Sequence, residues 1–505
     1  MQLRQLLLGL PVVFPAASQG DTDIWSVTDD SRSVRPGALF IARSGTKSDG
    51  RAFVQDAVRQ GAVAILADGP MALEGEARER VPVATTTAIA RVTALVGERF
   101  HGSPTARLKV LGVTGTNGKT TIAHLTQQML TRAGHRCGLI GTVEIDDGRT
   151  RTPSTLTTPG ALQLAEYFAR MVDAGCDTAS MEVSSHALHQ ERVAAIRFAC
   201  GIFTNLTGDH LDYHGTMEAY AAAKAMLFAS LDANAHAIVN IDDPWSKAMR
   251  IGPARCLTCS LSDPKADCRA SIDEVTLDSM GVTFDGPWGS FRVRLPLVGR
   301  HNAINALEAA AAVWTQGVKA EQLAEALEQC EAPPGRLQPV PLAGEVGGFS
   351  VLVDYAHTDD ALLNALTALR PVVPPGSALR VVFGCGGDRD RTKRPRMAAV
   401  ACAHADQVIV TSDNPRTEEP RAIVEDILKG VPAEAKAKVH VEVDRSTAIA
   451  WAVNQARQGD IVLIAGKGHE DYQIVGTEKR QFDDRREATE AIRRRAGVHP
   501  AGSRS

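Results

Sequence analysis

The sequence predicts an α/β protein of several domains, its sheets parallel and covered by helices. Three observations predict it. The chain has 505 residues, beyond the size at which one hydrophobic core keeps growing, so two to four domains are expected. Short apolar runs alternate with helical patterns along most of its length, which is the order of parallel sheets. One such run, "RLKVLGV", leads straight into a glycine-rich turn and a helix from Lys119, the layout of a phosphate-binding loop.

The elements follow in order. "MQLRQLLLGLPVVFPAAS" has the basic residue, apolar run and small residues of a secretory signal. Leu3, Leu6, Leu7 and Leu10 nevertheless repeat at helical spacing, and a buried amphipathic first helix is the preferred reading. "AVAILA" (Ala62 to Ala67) is a buried strand of a first block. The second block opens at "RLKVLGV", continues through the strands "TASMEV", "CGIFTNL" and "HAIVNI", and ends near "EAPPGRLQPV". There, prolines and a glycine stop an alanine-rich stretch, Asn302 to Glu331, read as two helices. The third block alternates cleanly through "FSVLVDYAH", "LRVVFGCGG", "DQVIVTSDNPR", "KVHVEV" and "DIVLIAGKGHE". All its strands but Val439 to Val443 end in polar or glycine-rich loops, where such sheets bind ligands. "RAGVHPAGSRS" reads as a frayed tail.

Composition narrows the function. With 44% apolar and 23% charged residues the chain is of the soluble globular class. A net charge of −4 excludes nucleic-acid binding by bulk positive field. No stretch approaches the ~18 apolar residues of a membrane span. The nine cysteines are scattered and odd in number, which fits a reducing compartment. Cys256, Cys259 and Cys268 begin with a CxxC, but no further pair follows at finger-like spacing, so no zinc site is expected.

In the loop, backbone N–H groups and the helix N-terminus face an anion, Lys119 reaches the β- and γ-phosphates, and the Thr120 hydroxyl ligates magnesium. The strict motif requires glycine where Val113 stands; Gly112, Gly115 and Gly118 are the glycines present. Downstream, Glu182 closes a strand, His210 lies in a loop with Asp209, Asp212 and His214, and Lys224 sits in a helix of small and apolar residues. Singly these read as a cap, a solvated histidine and a snorkelling lysine. On successive strand-to-helix transitions, they gather along one sheet edge.

"GVTGTNGKTT", "SMEVSSHAL", "TNLTGDHLDYHG", "AYAAAKAMLF", "GRHNAINALEA" and "VDYAHTDDAL" together resemble the Mur ligase family. These are ATP-dependent enzymes that add amino acids to the peptide stem of bacterial cell-wall precursors. The loop shifted by one residue is the family's variant, and the match runs in order from about residue 29 to residue 470. The resemblance implies a domain at 1–90 gripping a UDP substrate, a central ATPase at 91–335, and a Rossmann-like domain at 336–505 receiving an amino acid. It implies ATP contacts from Gly115, Thr116, Asn117, Gly118, Lys119, Thr120 and Thr121. Asn302 and Asn305 would lie at the adenine, with Arg336, Asp354 and His357 closing the C-terminal domain over the nucleotide. Glu182, His210 and Thr120 resemble magnesium ligands. Lys224 matches a lysine that the family carbamylates to N6-carboxylysine, converting a repelling ammonium into an anion. Lys119, Lys224, His210 and Glu182 form the implied catalytic group.

The two ends of the chain carry the implied specificity. "DDSRSVRPGALFIARSGTKSDGRAFV" resembles a uridine-nucleotide domain in which Asp29, Ser31, Thr46, Lys47 and Ser48 touch the nucleotide. Thr157, Thr158, Ser184, Gln190 and Arg192 resemble residues holding a muramoyl dipeptide, although by spacing alone "TTP" is a turn before a helix. Arg416 of "DNPRTEEP" resembles the meso-diaminopimelate recognition motif, joined by Arg389, Asp413, Asn414, Pro415, Gly466 and Glu470. Diaminopimelate carries a second amino-acid head that lysine lacks: an arginine fork grips its carboxylate and Glu470 takes its ammonium. Lysine would leave Arg416 desolvated and unpaired, a cost on the order of 3–5 kcal/mol. The resemblance thus implies addition of meso-2,6-diaminopimelate to UDP-N-acetylmuramoyl-L-alanyl-D-glutamate with ATP and Mg²⁺, by a cytoplasmic monomer that binds neither nucleic acid nor membrane. A folate-lengthening relative would leave the uridine-type block and "DNPR" unexplained. A phosphate-loop switch would turn over ATP without dipeptide or amine.

Overall fold

The computed structural model describes residues 1–14, 21–45, 49–71, 73, 75, 77–341 and 348–497, residue 78 by its backbone alone. Thr46, Lys47 and Ser48, expected at the nucleotide, lie outside the described residues, as does most of the expected tail.

The first domain holds four parallel strands in the order Ser26–Thr28, Ala38–Ala42, Ala62–Asp68 and Val83–Thr86. The leucine periodicity has its expected result. Helix Leu3–Leu7 buries Leu3, Leu6 and Leu7 against Leu39, Leu66 and two valines, Val92 and Val96, of helix Ile89–Phe100.

The central sheet has eleven strands. Lys109–Thr114 sits in its middle, between Phe198–Phe203 and Thr178–Glu182, and all three run parallel. Their register pairs Val113 with Glu182 and Thr114 with Phe203. The phosphate loop, Glu182 and the loop bearing His210 therefore leave the sheet at one edge. Beyond His236–Asn240 and Arg255–Ser260 the sheet continues through Cys268–Val275, Met280–Gly286 and Gly289–Leu295, the last two antiparallel. Those outer strands escaped the sequence reading because one face is left to solvent and the apolar runs are broken. Their inner residues Val282, Phe284, Val293 and Leu295 pack on the alanine-rich stretch, which forms two helices, Arg300–Trp314 and Ala320–Glu328. Cys259 and Cys268 face each other in register inside this apolar core, while Cys256 is exposed.

The C-terminal sheet runs Gln338–Pro339, Ser350–Asp354, Ile461–Ala465, Leu379–Phe383, Gln407–Val410, Val439–Val441, parallel except for the first. Apolar clusters cover both faces, which is why its strands read as unbroken apolar runs. Asp354 pairs with Ala465, so the loops after the first and last long strands emerge side by side. Among the described residues no helix is long and apolar enough to cross a membrane.

Candidate functional site

The phosphate loop is shaped by two glycines. Gly115 has φ 154°, and a Cβ there would lie 1.8 Å from Thr204 Oγ1. Gly118, at φ 88°, opens the helix Lys119–Arg132 in a conformation that glycine adopts without strain. The Lys119 ammonium turns back on its own loop, donating to the carbonyls of Gly115 (3.0 Å) and Thr116 (2.8 Å). Lys224 Nζ donates to the same Gly115 carbonyl at 2.7 Å and lies 4.4 Å from the centre of the Tyr220 ring. Lys224 is 1% exposed. Burial lowers its pKa well below the lysine value, and Lys119 lowers it further.

Glu182 is wholly buried yet well supplied with donors. Its carboxylate accepts the Thr120 hydroxyl at 3.1 Å, the Thr142 N–H at 2.7 Å and the Thr142 hydroxyl at 3.0 Å. Gly141 leaves the space this needs, since a Cβ there would be 2.7 Å from Oε1. His210 holds a left-handed backbone, φ 54°, with its ring edge-on to His186 at 4.9 Å between centroids. About half of its side chain stays open to the cleft. The protein packed round the rest pushes its pKa down to about 4, against the pull of Asp209.

The opposite wall belongs to the C-terminal domain. Arg336 donates to Thr120 Oγ1 at 3.1 Å and lies 4.9 Å from the centre of the Tyr355 ring. Asp354 accepts the N–H groups of Leu337 and Ala356, at 2.7 and 2.8 Å, and burial raises its pKa. Asn302 and Asn305 are bonded to each other at 3.1 Å on helix Arg300–Trp314. One cavity is lined by Thr116 through Thr121, Glu182, His210, Asn302, Asn305, Arg336, Asp354 and His357. Of the expected ATP contacts only Gly115 is absent from its wall, as is Lys224, whose ammonium bonds the Gly115 carbonyl. Thr142, Asn205, His301 and Tyr355 also line the cavity and were not singled out from the sequence. Tyr355 directly follows a strand, and Thr142 lies two residues beyond one.

The residues expected at the dipeptide meet beside Glu182. Thr158 donates to the Glu182 carbonyl at 2.9 Å and accepts the Ser184 N–H at 3.0 Å. Arg192 donates to the Thr158 carbonyl at 2.9 Å and to Gln190 at 2.6 Å. The Thr157 and Thr142 hydroxyls lie 3.0 Å apart. Asp29 pairs with Arg43 at 3.1 Å. Burial and then the charge of Arg43 lower the Arg192 pKa, so the first domain faces this group. Ser31 starts the short turn Ser31–Ser33.

The residues expected at the amine gather at the carboxyl edge of the C-terminal sheet. Arg416 has φ 53°, and its backbone pairs with the hairpin Tyr472–Val475 and Glu478–Gln481: its N–H donates to the Ile474 carbonyl at 3.0 Å, and its carbonyl accepts from Gly476 at 2.7 Å. Its guanidinium donates to the Gly387 carbonyl at 2.8 Å. Asn414 donates to Glu470 at 2.9 Å. Gly466, at φ 121°, leaves the strand beside Asp413. Pro415 packs against Gly387, and Arg389 extends from the adjoining loop, exposed, over the Asp388 carbonyl. Tyr355 links the two sites, with the His469 ring 5.1 Å from its own and Arg336 on it as well.

Comparison with known proteins accords with this geometry. Residues 23–99 match the Mur ligase family catalytic domain, 113–313 the Mur ligase middle domain, and 335–468 the Mur ligase glutamate ligase domain. The chain is 46% identical over 495 residues to the UDP-N-acetylmuramoyl-L-alanyl-D-glutamate--2,6-diaminopimelate ligase of Synechococcus sp. (strain WH7803), covering 96% of this chain and 97% of that one. It is 44% identical to the ligase of the same name from Geobacillus thermodenitrificans (strain NG80-2), covering 98% and 100%. A solved structure of a ligase so named is 33% identical, with a TM-score of 0.69 over 99% of this chain and 100% of that one. With three domain matches in chain order and such identity over nearly its whole length, the chain belongs to the Mur ligase family.

Proposed function

We propose that this protein joins meso-2,6-diaminopimelate to the D-glutamate carboxylate of UDP-N-acetylmuramoyl-L-alanyl-D-glutamate, converting ATP to ADP and phosphate. One observation carries the reading. A phosphate loop, a buried carboxylate and an arginine from a second domain meet at Thr120, and Tyr355 joins that meeting point to His469, the chain neighbour of Glu470. The full-length identity to ligases of that name supports the same reaction.

The substrate carboxylate attacks the γ-phosphorus of ATP; an O–P bond forms, the bond to ADP breaks, and an acyl phosphate results. The amine then attacks the acyl carbon, loses a proton, and expels phosphate from the tetrahedral adduct to leave an amide. The chief demand is that two anions be brought together and the charge on the transferring group be neutralised. Lys119, released from its own loop carbonyls, and Arg336 meet it from the two domains. Asn302 and Asn305 hold the far end of the nucleotide. Thr157, Thr158, Ser184, Gln190 and Arg192 seat the dipeptide, with Asp29, Ser31 and the segment Thr46, Lys47 and Ser48 at its uridine end.

Magnesium fits the residues present. Among the described residues no three His, Cys, Asp or Glu side chains form a closed metal cage. Thr120 and Glu182 bring two oxygens 3.1 Å apart at the phosphate loop, and His210 lines the same cavity. That open set leaves positions for phosphate oxygens and water, the manner in which nucleotide sites hold Mg²⁺. The ion would neutralise phosphate charge. Lys224 as an ammonium would oppose it, but an amine whose protonated form is so disfavoured by burial is nucleophilic enough to take up CO₂, and the carbamate would join the ligands.

Phosphate release with UDP-muramoyl dipeptide plus either diaminopimelate or lysine tests the proposal. Release is expected only with dipeptide and amine together, and preferentially with diaminopimelate. Release that ignores both would make the protein a nucleotide switch.

A further inference from the structure

Lys467 has no solvent exposure at all. A dehydrated ammonium is costly unless its donors are matched, and here the partners come from three pieces of the amine site. Nζ lies 3.1 Å from Asp413 Oδ1, 3.0 Å from Asn414 Oδ1, 2.7 Å from the Tyr472 carbonyl and 3.8 Å from Glu470. Asp413 and Asn414 lead into Arg416. Asn414 Oδ1 also accepts the Ile474 N–H at 2.9 Å. Tyr472 opens the hairpin whose Ile474 carbonyl and Gly476 N–H hold the Arg416 backbone at φ 53°. Nothing local to "DNPR" favours a left-handed arginine, which costs energy unless the surroundings impose it.

We infer that Lys467 is the positioning residue for amine selection, the single cation that fastens the strand-end loop, Glu470 and the hairpin into the arrangement that aims Arg416. This rests on the ligase reading above and deepens it. Two carboxylates, Asp413 and Glu470, share this one ammonium. The neighbouring cation Arg445 also lowers the Asp413 pKa, but its hydrogen bonds go to Asp484, at 2.7 and 2.6 Å, and to the Ser412 and Ala465 carbonyls. Asp413 takes the closer share of Lys467, which leaves the Glu470 carboxylate to seek an ammonium from the ligand while Arg416 seeks a carboxylate. Burial and the nearby Asp413 raise the Glu470 pKa, as expected of a carboxylate still short of a cation. Together the two groups describe the amino-acid head of an incoming zwitterion. Without Lys467, Asp413 and Glu470 would lose their ion-pair partner, leaving Asp413 the charge of Arg445, and Arg416 would lose its fixed direction. A plain ammonium such as that of lysine would then gain ground over the zwitterionic head.

The test is steady-state phosphate release by the full chain carrying Lys467→Met, with diaminopimelate and lysine each varied. We expect kcat/KM for diaminopimelate to fall at least about 100-fold and its advantage over lysine to shrink at least about 10-fold. KM for ATP and for the UDP-muramoyl dipeptide should stay within about twofold, which a general loss of structure would not allow. A folded variant that keeps the wild-type preference overturns the inference, and so does one that loses ATP affinity in parallel. If the methionine variant does not fold, Lys467→Gln, which keeps a donor without the charge, is held to the same outcomes; failure of both to fold would make Lys467 a support of the whole domain and overturn the inference. The wild-type arm separates the two levels. Absence of diaminopimelate-dependent release there defeats the ligase reading and this inference with it, whereas a normal wild-type arm leaves the variant as the sole judge.

Discussion

The Asn117 side-chain amide donates to Asp360 Oδ2 at 2.6 Å, tying the phosphate loop to a helix 243 positions away in sequence. The Thr207 hydroxyl reaches the same oxygen at 3.5 Å. With Arg336 on Thr120 at 3.1 Å, these contacts hold the C-terminal domain over the loop. A net hydrogen bond contributes roughly 1 kcal/mol, so Asp360→Ala is expected to raise KM for ATP about fivefold. An unchanged ATP KM would mean that the contact adds nothing to closure.

Carbamylation of Lys224 has a direct readout. With isotope-labelled bicarbonate, the wild-type protein should give a carbamate carbon resonance that is missing from Lys224→Gln. Turnover in that variant should fall about 10- to 100-fold. A resonance that persists in the variant would assign the carbamate elsewhere.

Arg416 is held by the hairpin and lies within the charge environment of Glu470. Removal of a desolvated charge partner costs roughly 2–5 kcal/mol. Arg416→Ala should therefore lower kcat/KM for diaminopimelate about 30- to several-thousand-fold, with a smaller loss for lysine. Equal losses for both amines would remove Arg416 as the selecting residue.

Glu308 is a separate matter of stability. It is fully buried in helix Arg300–Trp314, and among the described residues neither carboxylate oxygen has a hydrogen-bond partner. Burial, then Asp242 and Asp243, raise its pKa well above the ordinary 4.5. A folded-state pKa above the unfolded one means that the folded protein binds the proton more tightly. No penalty exists below pH 4.5, and one grows as pH rises from there toward the folded value. Glu308→Leu should thus raise the melting temperature, by on the order of 2–4 °C per kcal/mol gained, and by more at pH 8 than at pH 5. Melting curves at the two pH values check this; a gap that narrows at pH 8 would reverse the sign.

Much of the site was legible because its parts are local. Glu182, His210 and Lys224 each stand at or just beyond a strand or within a recognisable helix, and parallel strands send their carboxyl ends to one edge whatever lies between them. The outer strands of the central sheet were not legible, since a half-exposed antiparallel strand such as Gly289–Leu295 lacks a continuous apolar run. Thr142 is not legible either, because a single threonine after a short strand carries no pattern.

The three-block order, the phosphate loop and the side chains each strand delivers are local properties, because periodicity and turn chemistry act over a few residues. Only the tertiary structure decided that Arg336 would reach Thr120, that Asn117 would meet Asp360, and that one buried lysine would answer to Asp413, Asn414, Glu470 and Tyr472. The physical reason is that such contacts depend on how separately folded sheets dock and on which charges are left without water when they do. Neither is written in the spacing of residues along the chain.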